Sequence, residues 1–337
     1  MKKPLPYLIL FLFLATFASA QKITPADLKV LKQKEDTLKR LAKNLIVDSL
    51  TESRMRHDSL FIRTLVRTLQ VKNSFYYPFD SVQGIAKVYA PDTTFRILSW
   101  TLNFDDYYSR QRAAIQMRTA DGSLKLIPLR DFSEFTPKPL DSIRTKNNWI
   151  GAVYYNIIKT QHNGKNFYTL FGFEDHGVRS NMKWIEVMNF DENSQPLFGS
   201  TVFSFEKDSV KRAAQRRFAI EYKKEASTFV NYDEDLKMII VDHLISETDE
   251  PDKPYTFVPD GDQEAFVWKD GKWLHIDKAF NFKLQDGQAP IPDAIRDDIG
   301  NNNELKLQQR SDKNAGTTNK EVPKVPQKKQ KPPKKDD

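Results

Sequence analysis

The chain of 337 residues predicts a mainly antiparallel β fold, preceded by an N-terminal helical segment and followed by a disordered C-terminal tail. Three observations predict it. Apolar residues recur at helical spacing between residues 24 and 70, alternate at strand spacing from about residue 97, and become scarce from about residue 301. The expected divisions are a signal peptide at 1–20, a helical segment at 21–72, a β domain at 73–300 and the tail at 301–337.

The helical segment opens with a start signal. Thr24 is a typical N-cap residue, Pro25 suits the first helical position, and Asp27 places an acid near the positive end of the helix. Leucines follow at a spacing of seven residues, at Leu31, Leu38 and Leu45. The segment therefore begins as an amphipathic helix with one apolar stripe.

Ser49 and Glu52 indicate the start of a second helix, which continues to about residue 70. Two interpretations of the helical segment remain open. The heptad leucines could form a short coiled coil that dimerises, or the two helices could form a hairpin packed on the domain. The hairpin is favoured because the heptads last fewer than four repeats.

The β domain is indicated by alternation and by turn residues. Leu98, Trp100, Leu102 and Phe104 share one face of a strand. Asp121-Gly122, Asn163-Gly164 and Asp270-Gly271 suit the type I′ turns of hairpins. The expected strand pairs are 153–160 with 166–173, 183–190 with 197–205, 226–232 with 237–245, and 264–269 with 272–277. Because no helical crossover separates them, a meander is predicted, as a sandwich, an open barrel or a strongly curved sheet.

The first twenty residues have the three parts of an export signal. Lys2 and Lys3 are basic, residues 7–17 are apolar, and Ala18-Ser19-Ala20 is a small-residue cleavage site that leaves Gln21 as the new N-terminus. No later segment is apolar enough to cross a membrane. The sequence thus predicts a periplasmic or secreted protein that is soluble after cleavage, either free or peripheral to the envelope. It has no cysteine, which excludes disulfides and thiol nucleophiles.

The basic charge lies mainly at the ends of the chain. The formal net charge is +7, but Lys2 and Lys3 leave with the signal, and residues 313–337 hold eight Lys against three acidic residues. Residues 21–312 are therefore close to neutral, which argues against a nucleic-acid partner. A Lys- and Pro-rich tail with few apolar residues is expected to be disordered and to suit an anionic surface.

Few residues in the sequence indicate a catalytic or metal-binding site. The sequence contains no phosphate-binding loop, no G-x-S-x-G and no H-E-x-x-H, and we expect neither a metal nor a cofactor. The acids and bases that a hydrolase could use are Asp105, Asp106, Glu174, Asp175 and His176. Acidic residues in turns are more often turn formers than catalysts. His243 is interpreted as a strand residue whose ring is satisfied by a neighbour.

Aromatic residues make up 12% of the chain and are prominent in the last predicted hairpin. A two-residue turn at Asp270-Gly271 pairs Trp268 with Trp273 and places Phe266 on the same face, opposite His275. If exposed, these three rings form a stacking platform for a sugar ligand. If buried, they form part of the core, which is the favoured interpretation because both faces of the hairpin are apolar.

Several stretches resemble exported proteins of unknown function common in Bacteroidetes. They include residues 196–199, 217–226, 230–244 and 259–273. The resemblance covers roughly residues 75–280, implies an envelope or periplasmic setting, and carries no catalytic residues. The expected function is a non-catalytic binding or scaffolding module of the cell envelope, whose partner is an unknown envelope component. The alternative is a hydrolase of glycan or phosphoester substrates.

Overall fold

The computed structural model describes residues 22–280 except 106, 137, 176 and 211, together with residue 308 alone. The chain divides into two compact units, Met1–Phe280 and Asn281–Asp337, and the elements below belong to the first. The predicted signal peptide and, apart from residue 308, the predicted tail lie outside the described residues. None of the helices formed by the described residues combines the length and apolarity needed to cross a membrane.

Two helices form a hairpin, α1 (Pro25–Val47) and α2 (Thr51–Leu69). Thr24 caps α1 as predicted, because its hydroxyl accepts from the backbone N–H of Asp27. The start of α2 differs from the prediction: its N-cap is Leu50, which makes no side-chain cap. The carboxylate of Asp48 instead accepts from the Leu50 N–H and the Ser53 hydroxyl, and so orders the turn between the helices.

The first sheet lies directly under this hairpin. Its strands, in the order β1-β2-β3-β4, are β1 (Ala86–Tyr89), β2 (Phe95–Asn103), β3 (Ser109–Met117) and β4 (Lys125–Leu129), and neighbours pair antiparallel. The heptad leucines Leu31 and Leu38 pack in one cluster with Leu98 and Trp100 of β2. The heptad leucines are therefore buried within the domain, which is the packing of the helical hairpin and not of a dimeric coiled coil.

The second sheet packs against the other face of the first. Its strands are β5 (Arg144–Thr145), β6 (Val153–His162), β7 (Lys165–Glu174), β8 (Ser180–Phe190), β9 (Pro196–Phe198) and β12 (Arg217–Lys223), in the order β5-β9-β8-β7-β6 with β12 also on β8. Phe95 and Ile97 of the first sheet share a core with Leu170 and Trp184 of the second. Both faces of β2 are thus buried, because its two alternating sets of side chains enter different cores.

The third sheet covers the far face of the second. Its strands are β10 (Phe203–Phe205), β11 (Arg212–Gln215), β13 (Val230–Asp233), β14 (Met238–Ser246), β15 (Phe257–Lys269) and β16 (Lys272–Ile276), in the order β11-β10-β16-β15-β14-β13. Pairing is antiparallel except that β10 and β16 run parallel. Phe171 and Ile185 of the second sheet pack here with Phe203 and Phe266. The fold is therefore a stack of three sheets under a helical hairpin.

Two of the three predicted type I′ hairpin turns are confirmed. Asn163-Gly164 and Asp270-Gly271 both have positive φ at each residue, as a type I′ turn requires. Asp121-Gly122 is not such a turn: Gly122 alone has positive φ, and seven residues separate the paired Met117 and Lys125. The predicted strand 197–205 is also divided, since β9 pairs with β8 whereas β10 joins the third sheet.

A buried ion pair lies between β8 and β12. Arg217 Nε lies 2.8 Å from Glu186 Oε2, and both side chains are fully buried. The hydroxyl of Tyr154 donates to the other oxygen of Glu186 and accepts from the indole of Trp149. Arg217 also donates to the Ser142 carbonyl, and this ties the segment before β5 to the second sheet.

Candidate functional site

A cavity of about 280 Å³ brings together polar and aromatic side chains from the first and second sheets. Five segments form it: the start of β3 with the turn before it, residues 133–139, Ile150 before β6, the end of β7 and the start of β8. Its lining residues are Tyr107, Tyr108, Ser109, Ser133, Glu134, Thr136, Pro139, Ile150, Glu174, Asp175, Met182 and Trp184.

The cavity contains two of the acids that the sequence singled out. Glu174 and Asp175 both line it. Asp105 lies beside it and has a local role, because its Oδ1 accepts from the backbone N–H of Tyr107 at 2.7 Å and so shapes the turn that presents this tyrosine. Asp106 and His176 lie outside the described residues. The structure therefore places Glu174 and Asp175 in one site, whereas Asp105 supports it from outside.

Glu174 is held by a tryptophan of the neighbouring strand. The indole Nε1 of Trp184 donates to Glu174 Oε2 at 2.7 Å, and only 9% of Glu174 is exposed. Gly172 lies opposite Trp184 in the strand register. A Cβ on Gly172 would lie 2.7 Å from Cβ of Ala152, so the absence of a side chain lets the strand pack closely at this point. Glu174 is therefore fixed on a rigid part of the sheet.

Asp175 is fixed by a cation from the chain that follows β12. The ammonium of Lys224 donates to Asp175 Oδ1 and, at 2.8 Å, to the Gly177 carbonyl. The hydroxyl of Ser109 donates to the Asp175 carbonyl at 3.3 Å, which connects β3 to the end of β7. These contacts hold the two sheets together at the mouth of the cavity.

A third carboxylate, that of Glu134, also lines the cavity. Glu134 Oε2 accepts from Arg110 Nη2 at 3.0 Å and from the hydroxyl of Tyr108 at 3.3 Å. Arg110 Nε also donates to the Tyr108 hydroxyl at 2.5 Å. Nearby Tyr107 is 74% exposed. The cavity thus combines two tyrosine rings with three carboxylates, each of which accepts a hydrogen bond from a neighbouring side chain.

The aromatic hairpin is largely buried, in contrast to the hypothesis of an exposed stacking platform. The predicted register is confirmed, with Trp268 opposite Trp273 and Phe266 opposite His275. Phe266 and Trp273 are completely buried, because this face of the third sheet packs on the second. Trp268 is partly buried and contacts Phe167, with ring centroids 5.4 Å apart. These three rings therefore belong to the core, as the favoured interpretation expected. The alternative hypothesis of a sugar-stacking platform at this hairpin is wrong.

Two histidines share a carboxylate on the third sheet. Buried His275 lies 2.9 Å from Asp208 through Nδ1 and 2.8 Å from Glu264 through Nε2. His243 Nδ1 contacts Asp260 at 2.9 Å, and its Nε2 lies 4.0 Å from Glu264. The ring of His243 is thus satisfied by a neighbour, as predicted.

Asp208, His275 and Asp277 present ligand atoms within 4.8 Å of one another, which is a spacing that a metal ion could use. Both ring nitrogens of His275 already face carboxylates, however. Burial lowers the pKa of His275, but the hydrogen bonds and charges of Glu264 and Asp208 outweigh burial and raise the pKa above its ordinary value. Carboxylates at both ring nitrogens favour the protonated form of His275, and these hydrogen bonds within the protein engage both nitrogens that a metal would need.

A larger groove, of about 880 Å³, lies where β7 starts and β8 ends. Its polar groups are largely engaged in its own turn. Asp191 Oδ1 accepts from the backbone N–H groups of Asn193 and Gln195, and Asn189 donates to the Asn166 carbonyl. The smaller cavity has the stronger claim to function because it contains the cluster of carboxylates and exposed tyrosine.

Sequence reasoning missed Tyr107, Tyr108, Glu134 and Trp184. The adjacent tyrosines directly after an acidic turn were the one available signal. Glu134 and Trp184 come from distant segments, and no spacing rule connects them to Glu174.

Comparisons of the chain with protein-family models, curated proteins and solved structures give no match. The function must therefore be argued from the geometry of the site.

Proposed function

We propose that this protein is an exported, non-catalytic binding module of the cell envelope that holds a polyhydroxylated ligand, such as an envelope glycan, in the cavity between its first two sheets. The observation that carries the proposal is the convergence of Tyr107 and Tyr108 with Glu134, Glu174 and Asp175 in one cavity. The export signal in residues 1–20 supports a periplasmic or secreted location.

The chemistry of the cavity suits a sugar. Aromatic rings offer apolar faces to the C–H groups of a sugar ring, and the tyrosine hydroxyls add polar contacts at their edge. Carboxylate oxygens accept hydrogen bonds from ligand hydroxyls, and a few fixed polar groups among apolar ones give a pocket its specificity. Tyr107 is the most accessible of these groups, so it is the expected ligand anchor.

Binding is favoured over catalysis by the partners of the carboxylates. Asp175 faces Lys224 and Glu134 faces Arg110, which is the arrangement of structural ion pairs. Glu174 accepts from the Trp184 indole and is almost completely buried. A general acid or base must reach a reacting proton at hydrogen-bond distance, and these contacts direct the carboxylates toward their protein partners.

A hydrolase of glycan or phosphoester substrates is the second candidate. One observation favours it: Glu174 and Asp175, two acids identified as possible catalysts from the sequence, line the same cavity. Glycosidases use two carboxylates that flank the scissile bond. In that case the tyrosines would hold the sugar and Glu174 would serve as the acid or base.

One experiment separates these functions. Oligosaccharides released from purified envelope are incubated with the mature protein, and binding is followed by calorimetry while the products are followed by mass spectrometry. The proposal predicts that the native chain binds the oligosaccharides without cleaving them. The Glu174→Gln variant should release no fragments either. Cleavage that disappears in Glu174→Gln would establish a glycan hydrolase, and absence of binding and cleavage would refute both glycan binding and glycan hydrolysis.

We also assign the basic tail, residues 301–337, a role in holding the protein at an anionic envelope surface. The support is its composition, since residues 313–337 alone hold eight Lys among Pro and Gln. A Lys near an anionic membrane contributes on the order of 1 kcal/mol, so several together could retain a neutral domain. Apart from residue 308, the tail lies outside the described residues. Deletion of residues 301–337 tests its role.

A further inference from the structure

The turn that joins α1 and α2 exposes a group of large apolar side chains. Val47 is 64% exposed and Leu50 is 68% exposed, and Ile46 and Met55 on either side are 50% and 44% exposed. Four exposed apolar side chains within ten residues are unusual for a turn that faces water alone. This group, Ile46, Val47, Leu50 and Met55, is called the apolar tip below.

Basic residues surround the apolar tip. Between residues 39 and 56, the exposed charged side chains are Lys39, Arg40, Lys43, Glu52 and Arg56, so cations outnumber anions by four to one. The two other charged residues of this stretch, Asp48 and Arg54, are only partly exposed and are occupied by contacts inside the turn. The local charge is therefore complementary to an anionic surface.

Two of the cations share one face of α1 with the start of the apolar tip. Lys39, Lys43 and Ile46 follow at spacings of four and three residues, which places them along a single stripe. With a rise of about 1.5 Å per residue, Lys43 lies about 6 Å and Lys39 about 12 Å from Val47 along the helix axis. If the tip enters the boundary between headgroups and acyl chains, these ammonium groups reach the phosphates, because long basic side chains extend toward the polar layer.

The turn is held rigidly at one end of the domain. The Thr51 hydroxyl donates to the Phe104 carbonyl at 2.5 Å, and Arg54 donates to the carbonyls of Phe104 and Asn103, each at 2.8 Å. The apolar tip is thus fixed beside the turn between β2 and β3. A preformed surface of this kind needs no ordering on binding, which favours affinity.

From these observations we infer that the apolar tip and its flanking lysines form a docking surface for an anionic lipid bilayer. The tip inserts into the headgroup region, and Lys39 and Lys43 contact lipid phosphates. This surface belongs to the folded domain and is independent of the glycan cavity and of the basic tail. Binding to it is expected to weaken with salt, since surface electrostatics are screened.

The absence of cysteine allows a direct test of insertion. A single cysteine is introduced at Leu50→Cys, or at Leu236→Cys as a matched control on the exposed turn between β13 and β14, and labelled with an environment-sensitive dye. Vesicles contain equal parts of phosphatidylcholine and phosphatidylglycerol. The dye at residue 50 is expected to shift to shorter emission wavelength and to be quenched by lipid-borne quenchers, whereas the dye at residue 236 stays in water. Vesicle-bound protein with no insertion at residue 50 would overturn the inference.

Binding measurements separate the tip from the tail. Variants are made in the full mature chain, both with its native tail and with five of the tail lysines changed to glutamine, which brings the net charge of residues 301–337 from +5 to zero. With the neutral tail, Val47→Ser with Leu50→Ser is expected to weaken vesicle binding at least about tenfold. Val210→Ser with Leu236→Ser removes the same exposed side chains elsewhere and is expected to have no effect. Equal binding by the two double variants, or no binding by the neutral-tail parent, would overturn the inference.

The charge contribution is tested in the same way. Lys39→Gln with Lys43→Gln is expected to weaken binding at low salt, whereas Lys269→Gln with Lys272→Gln, on the exposed hairpin at the opposite end of the sequence, is not. Circular dichroism melting of each variant confirms that it is folded. If both lysine pairs have the same effect, the attraction is a general property of net charge and not of this surface.

Discussion

The indole of Trp184 donates to the carboxylate of Glu174 across the pair β7–β8. Trp184 also packs in the core between the first two sheets, so a cavity carboxylate is tied directly to buried structure. Because the indole of Trp184 is fixed by packing, Glu174 is preorganised, as a selective binding site requires. The wall of the cavity that contains Glu174 is therefore part of the rigid sheet stack.

The two type I′ turns give a matched pair of glycine substitutions. Gly164 and Gly271 have φ of +73° and +79°, so valine is strained at either position by about 1 kcal/mol or more. A Cβ at Gly271 would also lie 2.6 Å from the ring of His162, whereas nothing lies within 4 Å at Gly164. Urea unfolding should show a larger loss for Gly271→Val than for Gly164→Val. An unchanged midpoint for Gly271→Val would refute the tight hairpin.

The buried ion pair predicts a non-additive result. Arg217→Met leaves the carboxylate of Glu186 buried without its cation, and the free energy of unfolding should fall by about 3–5 kcal/mol. Adding Glu186→Leu removes the orphaned charge, so the double variant should be more stable than Arg217→Met alone. A double-mutant cycle in urea measures this difference. Additive losses would show that the two side chains do not interact.

The carboxylates around His275 predict that the stability of the folded protein falls at high pH. The pKa of His275 is raised in the folded state by Glu264 and Asp208, despite burial, which lowers it. The stabilisation is therefore complete below the unfolded-state pKa of about 6.5 and is lost as the pH rises through the folded-state pKa. Other groups in the network are Asp277, Arg212 on Asp208 and His243 beside Glu264. Melting temperatures from about pH 5 to about pH 9 should decline more for the native chain than for His275→Gln. Parallel curves would contradict the assignment.

The tail predicts separable effects of truncation. Every buried residue of the three core clusters lies between Leu31 and Trp273, so deletion of residues 301–337 should leave the melting temperature unchanged. The same deletion should weaken binding to anionic vesicles, because the nine tail lysines are removed. A large drop in melting temperature would show that the tail contributes to the fold. Unchanged vesicle binding at low salt would exclude it as an anchor.

Local patterns predicted the elements of this fold better than its assembly. The capped helix at Thr24, the strand register of Trp268 with Trp273, and both type I′ turns follow from short-range rules. The stack of three sheets was not predicted, because it depends on which face of each strand meets which neighbour. The division of 197–205 between two sheets is an example, since its apolar residues alone do not indicate a change of partner.

Only some residues of the candidate site were predicted, because sheet packing brings the others to the cavity. Glu174 and Asp175 stood out as acids at the end of a strand, and they do line the cavity. Glu134 and Trp184 could not be connected to them, because the contacts join residues 10 or more positions apart through sheet packing. The aromatic hairpin had the right register, but its burial depended on the second sheet, which the sequence of the hairpin does not contain.

The most direct test of the binding proposal is the affinity of the cavity for envelope oligosaccharides, measured by isothermal titration calorimetry on three proteins. These are the native mature chain, Tyr107→Ala in the cavity, and Phe229→Ala, which removes an exposed ring (46% exposed) outside the cavity lining. The account predicts that Tyr107→Ala weakens binding at least about tenfold while Phe229→Ala binds like the native chain. Equal affinities for all three proteins, or no binding by the native chain, would contradict it.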